Sequence, residues 1–213
     1  MQAINKQPKP ELVNSLLHVA GVFFGLTFIP YLLYIASKTT SNIVIIAISI
    51  YGLAFLMVFT FSSLYHGLLR PKIKHLFKIL DHISIYFLIA GTYTPLVVMF
   101  VNTSFGIALL ITLWTLTFIG SLFKLFFTEK FEILSTIIYI LMGLLLLTGG
   151  KRFFISIPPV VTTLIITGAG LYCIGVIFYL WKKYTYHHAI WHLFVLTAAI
   201  CHYFAILIAI KNK

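Results

Sequence analysis

Two helical pairs carry the chemistry of this chain. Ser62-x-x-x-His66 closes the second apolar stretch, and His188-x-x-x-His192 opens the last one. Residues four apart on a helix share a face, so the His188 and His192 rings point one way and can grip one ion. Ser62 and His66 share a face for the same reason. His187 has no such partner, because Trp191 stands at its i+4 position. Three neutral imidazoles leave a tetrahedral zinc with one open position, the pattern of a catalytic rather than a structural site. All-imidazole ligation suits Zn2+ better than calcium or magnesium. Asp81 could hold a water at that position or orient a ligand histidine, although taken alone it would also suit a helix N-cap. Such a water becomes a usable nucleophile near neutral pH, and Ser62 could donate to a developing oxyanion.

The elements that must position these residues are membrane helices. The 213 residues are 61% hydrophobic and 9% charged, with a mean hydropathy of +1.07. A soluble domain is about 45–50% apolar and about 25% charged. A helix needs about 20 residues to cross a hydrocarbon core of about 30 Å. Seven segments reach that length, near 15–36, 43–69, 79–100, 105–127, 132–149, 160–181 and 187–210. Pro71, Pro158 and Pro159 mark breaks, and Asn102-Thr103-Ser104 makes the tightest turn. The expected fold is an all-α integral membrane protein, with residues 1–213 forming one seven-transmembrane-helix bundle.

Net charge is +11. In a chain of this hydropathy the basic residues belong to loops, where they orient the protein and attract anionic lipid, so no nucleic-acid partner is expected. A cytoplasmic N-terminus puts ten basic residues inside, including Lys6, Lys9, Arg70, Lys72, Lys74 and Lys78. It leaves five outside, namely Lys38, Lys151, Arg152, Lys211 and Lys213. The excess predicts an N-terminus in the cytoplasm and a C-terminus outside, the reverse of G-protein-coupled receptors.

With that topology the ionisable groups converge in depth. His66 lies four residues before Arg70 and Asp81 three after Lys78, both roughly 5–6 Å deep at 1.5 Å per residue. His188 and His192 follow Lys183 by roughly 7–14 Å of helix. Glu11, Asn14 and His18 enter segment 1 from the same side. Ionisable groups inside a bilayer are expensive, and a cluster of them marks a functional site. His202 lies further towards the other leaflet and reads as an interhelical hydrogen-bonding residue. His75 reads as solvated, and His82 points about 100° away from Asp81. Cys173 and Cys201 read as small buried hydrophobes rather than a disulfide. Gly21-x-x-x-Gly25 permits close helix packing.

Glu11-x-x-Asn14-x-x-x-His18-x-x-Gly21, Ser62-Ser63-x-x-His66, Asp81-His82 with Gly91-x-Tyr93-x-Pro95, and His188-x-x-x-His192 together resemble the haemolysin III family. That family groups with the progestin and adipoQ receptors, including the adiponectin receptors, and more distantly with alkaline ceramidases. The resemblance covers essentially the whole chain. It implies a seven-helix bundle with a cytoplasmic N-terminus and an intramembrane zinc on His66, His188 and His192. It also implies that Asp81 hydrogen-bonds the water on the metal, with Ser62 as the nearby motif serine. A long N-terminal region like that of the animal receptors is absent from this sequence, which favours a bacterial plasma-membrane member. The leading expectation is a zinc-dependent hydrolase of lipid amide or ester bonds, with membrane lipid or free fatty acid in the bundle cavity. The alternatives are a non-enzymatic membrane-homeostasis sensor with structural zinc, and a pore-forming haemolysin.

Overall fold

The computed structural model describes residues 9–101, 103–149 and 154–212. Lys6, Asn102, Lys151, Arg152 and Lys213 lie outside the described residues. The helices are α1 (Lys9–Thr39), α2 (Asn42–Gly67), α3 (Pro71–Phe100), α4 (Ser104–Phe127), α5 (Glu132–Leu144), α6 (Pro159–Leu180) and α7 (His187–Lys211). Among the described residues there is no strand. Hydrocarbon offers backbone groups no water, so only structures that satisfy every N–H and C=O internally can cross it. Six of the helices are long and apolar enough to do so.

The fifth segment differs. Its α-helix stops after 13 residues and continues as a 3-10 turn, Leu145–Gly149. The 3-10 rise of about 2.0 Å per residue stretches the chain, so the two pieces together reach about 30 Å. A second difference lies at α3, which starts at Pro71 rather than near 79. Pro71 at the first helical position needs no partner for its missing N–H, and the basic turns that follow extend the helix beyond the apolar run. Asp81 consequently sits inside α3, and the N-cap reading is excluded.

The core is built from α2 and α3, flanked by α1 on one side and α4 on the other, with α7 against α1 and α6 against α7. α3 is the most enclosed helix. Tyr51, Phe55, Phe59, Tyr86 and Tyr203 are fully buried in the shared core. Large apolar side chains such as Phe23, Leu26, Phe118 and Phe126 point outward, as a lipid-facing surface requires. Hydrogen bonds from side chains to backbone carbonyls stitch the helices together. Ser15 Oγ donates to Ser63 O at 3.1 Å, Tyr139 Oη to His82 O at 2.9 Å, and Tyr203 Oη to Phe28 O at 2.9 Å. Tyr93 Oη donates to Gly143 O and pins α5 to α3 midway along the bundle.

One end of the bundle is ringed by ion pairs. Lys74 Nζ meets Glu11 at 2.7 Å, Lys78 Nζ meets Glu129 at 3.0 Å, and Lys182 Nζ meets Glu132 at 3.2 Å. These contacts gather the starts of α1, α3 and α5 with the end of α6, as the charge-based grouping requires. The hydrogen bond from Lys78 holds the Glu129 carboxyl in the α4–α5 turn below its usual range. Lys38 and Lys211 sit in the last turns of α1 and α7, at the far end. The two described ends of the chain therefore lie at opposite faces.

Gly21 and Gly25 set the α1–α2 distance. A Cβ on Gly21 would collide with the buried Phe59 ring, and one on Gly25 would press on Leu56 and Phe55. Gly21→Val should destabilise the bundle by about 1–3 kcal/mol, the usual result of overpacking. Thermal melting in detergent reads this as a lowered Tm; an unchanged Tm would mean that Phe59 swings aside freely.

Candidate metal centre

α2 and α7 bring three histidines to one point. His66, His188 and His192 each offer a ring nitrogen, and these nitrogens lie within 4.8 Å of one another. His66 Nε2 and His192 Nε2 are 3.0 Å apart. The His188 and His192 ring centroids are 4.4 Å apart, as the i, i+4 spacing predicts. His66 and His192 are buried, and His188 is half-buried at the edge of a cavity. The set is therefore assembled from distant sequence positions, as depth matching required.

The hydrogen bonds behind the rings decide how the nitrogens present themselves. The Glu11 carboxylate stands 3.3 Å from His66 Nδ1 and is held from its other side by Lys74. A carboxylate only accepts, so Nδ1 carries the proton, and in the neutral ring His66 Nε2 presents its lone pair inward. His192 Nδ1 lies 2.7 Å from His18 Nε2. If His192 donates there, its Nε2 is also a lone pair facing that of His66, and two lone pairs at 3.0 Å need a cation between them. If His18 donates instead, a metal-free relay runs His18 to His192 to His66 to Glu11. His188, half-buried at the cavity, makes no hydrogen bond among the described residues. A cation shared by the three nitrogens would satisfy His188 as well, so the donor set fits a metal. Histidine ligands whose second nitrogen donates to a carboxylate or another acceptor are the usual supporting arrangement.

Glu11 and His18 thus hold the His66 and His192 rings of the triad, a role that sequence reasoning considered for Asp81. Asp81 makes no hydrogen bond to a histidine among the described residues. The signal for Glu11 and His18 was present in their spacing. With Asn14 they fall at i, i+3 and i+7, one face of α1, but nothing in the sequence said which helix that face meets.

Asp81 and Ser62 line the same cavity as His18, His188 and His192. Both are buried. Ser62 Oγ lies near enough to the Asp81 carboxyl to interact with it, without a well-formed hydrogen bond. The cavity has a volume of about 280 Å3 and is lined mainly by apolar side chains. It follows α3 from Lys78 to Leu96, roughly 27 Å at 1.5 Å per residue. A second hollow between α5 and α6 shares Gly143, Leu144, Ile165, Ala169 and Cys173 with it.

The remaining candidates fall where their surroundings put them. His202 Nε2 receives or gives no charge pair and lies 3.2 Å from Ile165 O, an α7–α6 hydrogen bond of the expected kind. His75 is exposed in the first turns of α3, 3.9 Å from Glu129. His187 Nδ1 donates to Phe178 O at 3.0 Å. Cys173 and Cys201 are free, but Cys173 is exposed on α6 rather than buried, because it borders the α5–α6 hollow.

For a divalent ion on the triad, Glu11→Ala should weaken retention about 10–100-fold, the range for lost supporting contacts. Competition with a chromogenic chelator measures this, and unchanged affinity would mean that Glu11 serves Lys74 alone.

Comparison with known proteins agrees with this architecture. Residues 6–203 match the family model described as haemolysin-III related. The chain is 38% identical to a protein named Hemolysin-3 from Bacillus cereus, over 93% of this chain and 91% of that one. It is 37% identical to a Hemolysin-3 homolog from Bacillus subtilis, over 93% of each. A human monocyte to macrophage differentiation factor is 29% identical over 74% of this chain and 67% of its own. No solved structure gives a significant match. The family match spans nearly the whole bundle, histidines included, and the chain belongs to the haemolysin-III-related family of multi-span membrane proteins.

Proposed function

We propose that this protein is a zinc-dependent intramembrane hydrolase of lipid amide or ester bonds, in a bacterial plasma membrane with its N-terminus in the cytoplasm. The observation that carries the reading is the histidine triad, two of whose members, His188 and His192, line one apolar cavity together with Asp81 and Ser62. His66, His188 and His192 would hold the ion. Bound there, zinc would supply Lewis-acid polarisation and a water acidic enough to react near neutral pH.

The other steps belong to the chain's own side chains. The apolar walls along α3 accept an acyl chain and exclude bulk water. A leaflet is about 15 Å deep, half the hydrocarbon core, so a cavity of roughly 27 Å is long enough to take one extended acyl chain. The Asp81 carboxyl, shielded from solvent, takes the proton released by the attacking water and returns it to the leaving amine or alkoxide. Ser62 Oγ, without a well-formed hydrogen bond to another group, donates to the oxyanion that develops on the scissile carbonyl. Glu11 and His18 keep the rings in place. Membrane lipids, or the fatty acid released from them, are the proposed occupants.

A second reading has its own support. The triad with His18 ties α2, α7 and α1 together deep in the bundle. In that reading the metal is a structural staple in a membrane-state sensor. Chelation would then lower Tm without abolishing any turnover.

Elemental analysis of detergent-purified protein should find about one zinc per chain, and none in a His188→Ala/His192→Ala double variant. No zinc in either would leave the relay of hydrogen-bonded imidazoles as the state of the site. Fatty-acid release from a panel of lipid amides and esters should fall about a hundredfold or more in Asp81→Ala, as loss of a general acid–base group does. Absence of release from every lipid class, in protein that retains its zinc, would sink the hydrolase reading and leave the staple.

A further inference from the structure

On α3, α4 and α5 the cavity carries polar groups that lipid hydrolysis leaves unused. Lys124, in the last turn of α4, is 1% exposed and lines the cavity. A lysine near the end of a membrane helix ordinarily snorkels, with its ammonium in water. This one is turned inward. Among the described residues its ammonium has neither an ion pair nor a hydrogen bond. Glu132 acts on it electrostatically. That carboxylate is already engaged by Tyr179 Oη at 2.5 Å and Lys182 Nζ at 3.2 Å. Lys78 lines the same cavity but is paired with Glu129 at 3.0 Å. A second, independent observation concerns His82. Its ring lines the cavity, and its buried Nδ1 has no well-formed hydrogen bond, although the Lys78 backbone one turn earlier is near enough to interact with the ring.

An inward-turned cation without an ion pair and a buried ring nitrogen without a well-formed hydrogen bond are both costly, and few native sites tolerate either without compensation. Here they occur together on adjacent helices beside one cavity. An anion entering from the cavity would satisfy both. Phosphate suits the pair, because lysine is a common phosphate binder acting as a point charge and phosphate offers several strong acceptor oxygens. The surrounding end of the bundle is rich in lysine, which concentrates anionic lipid at its surface.

We propose that Lys124 and His82 form a headgroup subsite that binds the phosphate of a single-chain phosphate-monoester amphiphile, whose acyl chain runs along the apolar cavity towards Leu96 and Ile165. The subsite rests on the cavity's admitting an acyl chain, and not on the metal or on any turnover. It would decide which lipids the cavity accepts.

The test uses a matched pair of probes on the purified full chain in detergent. Lysophosphatidic acid and the monoacylglycerol with the same acyl chain differ only in the phosphate. Wild-type protein should bind lysophosphatidic acid about tenfold more tightly or better, since charge-assisted hydrogen bonds exceed the 1.4 kcal/mol that tenfold represents. Lys124→Met should erase that preference while monoacylglycerol affinity is unchanged, and Lys124→Arg should keep it. The Met variant should also melt no lower than wild type without ligand, because it removes an unpaired buried charge; a lower Tm would mean that Lys124 is structural. Equal affinity for the two probes in wild type, or a preference that survives in Lys124→Met, overturns the subsite. Competition by inorganic phosphate as strong as by lysophosphatidic acid would reassign it to the free ion and overturn the lipid assignment. Failure of monoacylglycerol itself to bind would instead refute the acyl-chain cavity, which separates that outcome from failure of the subsite.

Discussion

A charged or polar side chain in hydrocarbon raises the free energy of the whole protein unless another polar group meets it at the same depth. That constraint organises this molecule. Nearly all of its buried or half-buried ionisable groups, from Glu11 and His18 through Asp81 to His192, lie towards one end of the bundle and face one another rather than lipid. The far half of the bundle is held by apolar packing and by hydroxyls that return to carbonyls, as in Tyr203 to Phe28. The bundle therefore has one end rich in ionisable groups and one end nearly free of them, with an apolar cavity running between them.

Within the active end, two layers of interaction support each other. The ion pairs of Lys74, Lys78 and Lys182 tie the ends of four segments at the surface. One of them continues inward, since Glu11 joins Lys74 to His66. A surface ion pair alone contributes little to stability. Its consequence here is orientation, because it fixes the carboxylate that fixes a ring nitrogen. The same end also holds a lysine that makes no ion pair among the described residues and feels only the more distant Glu132. The contrast between Lys74, fully engaged, and Lys124, unpaired beside the cavity, is what separates a structural cation from one available to a ligand.

Much of this was legible from the chain. Six of the seven spans agree with the helices to within a few residues at most ends, because long apolar runs can do little else in a bilayer. His188 and His192 face one way by helix geometry alone. His66 joins them because depth, counted from the nearest basic residue, is a real coordinate in a membrane protein. The fifth span was legible in length but not in kind. Composition does not distinguish an α-helix from one that continues as a 3-10 turn, which here begins two residues after Gly143, the residue whose carbonyl accepts from Tyr93.

Sequence by itself determined the class of the protein, the order and depth of its helices and the residue types able to hold a metal. Hydrophobicity and the 3.6-residue repeat are local properties, and they are written in order along the chain. Tertiary structure alone decided which nitrogens point inward, that Glu11 and His18 rather than Asp81 back the histidines, and that Lys124 turns from the interface into the cavity. Those outcomes depend on the rotation of each helix about its own axis, and rotation is set by packing between helices, as where Phe59 seats against Gly21. No single segment contains that information.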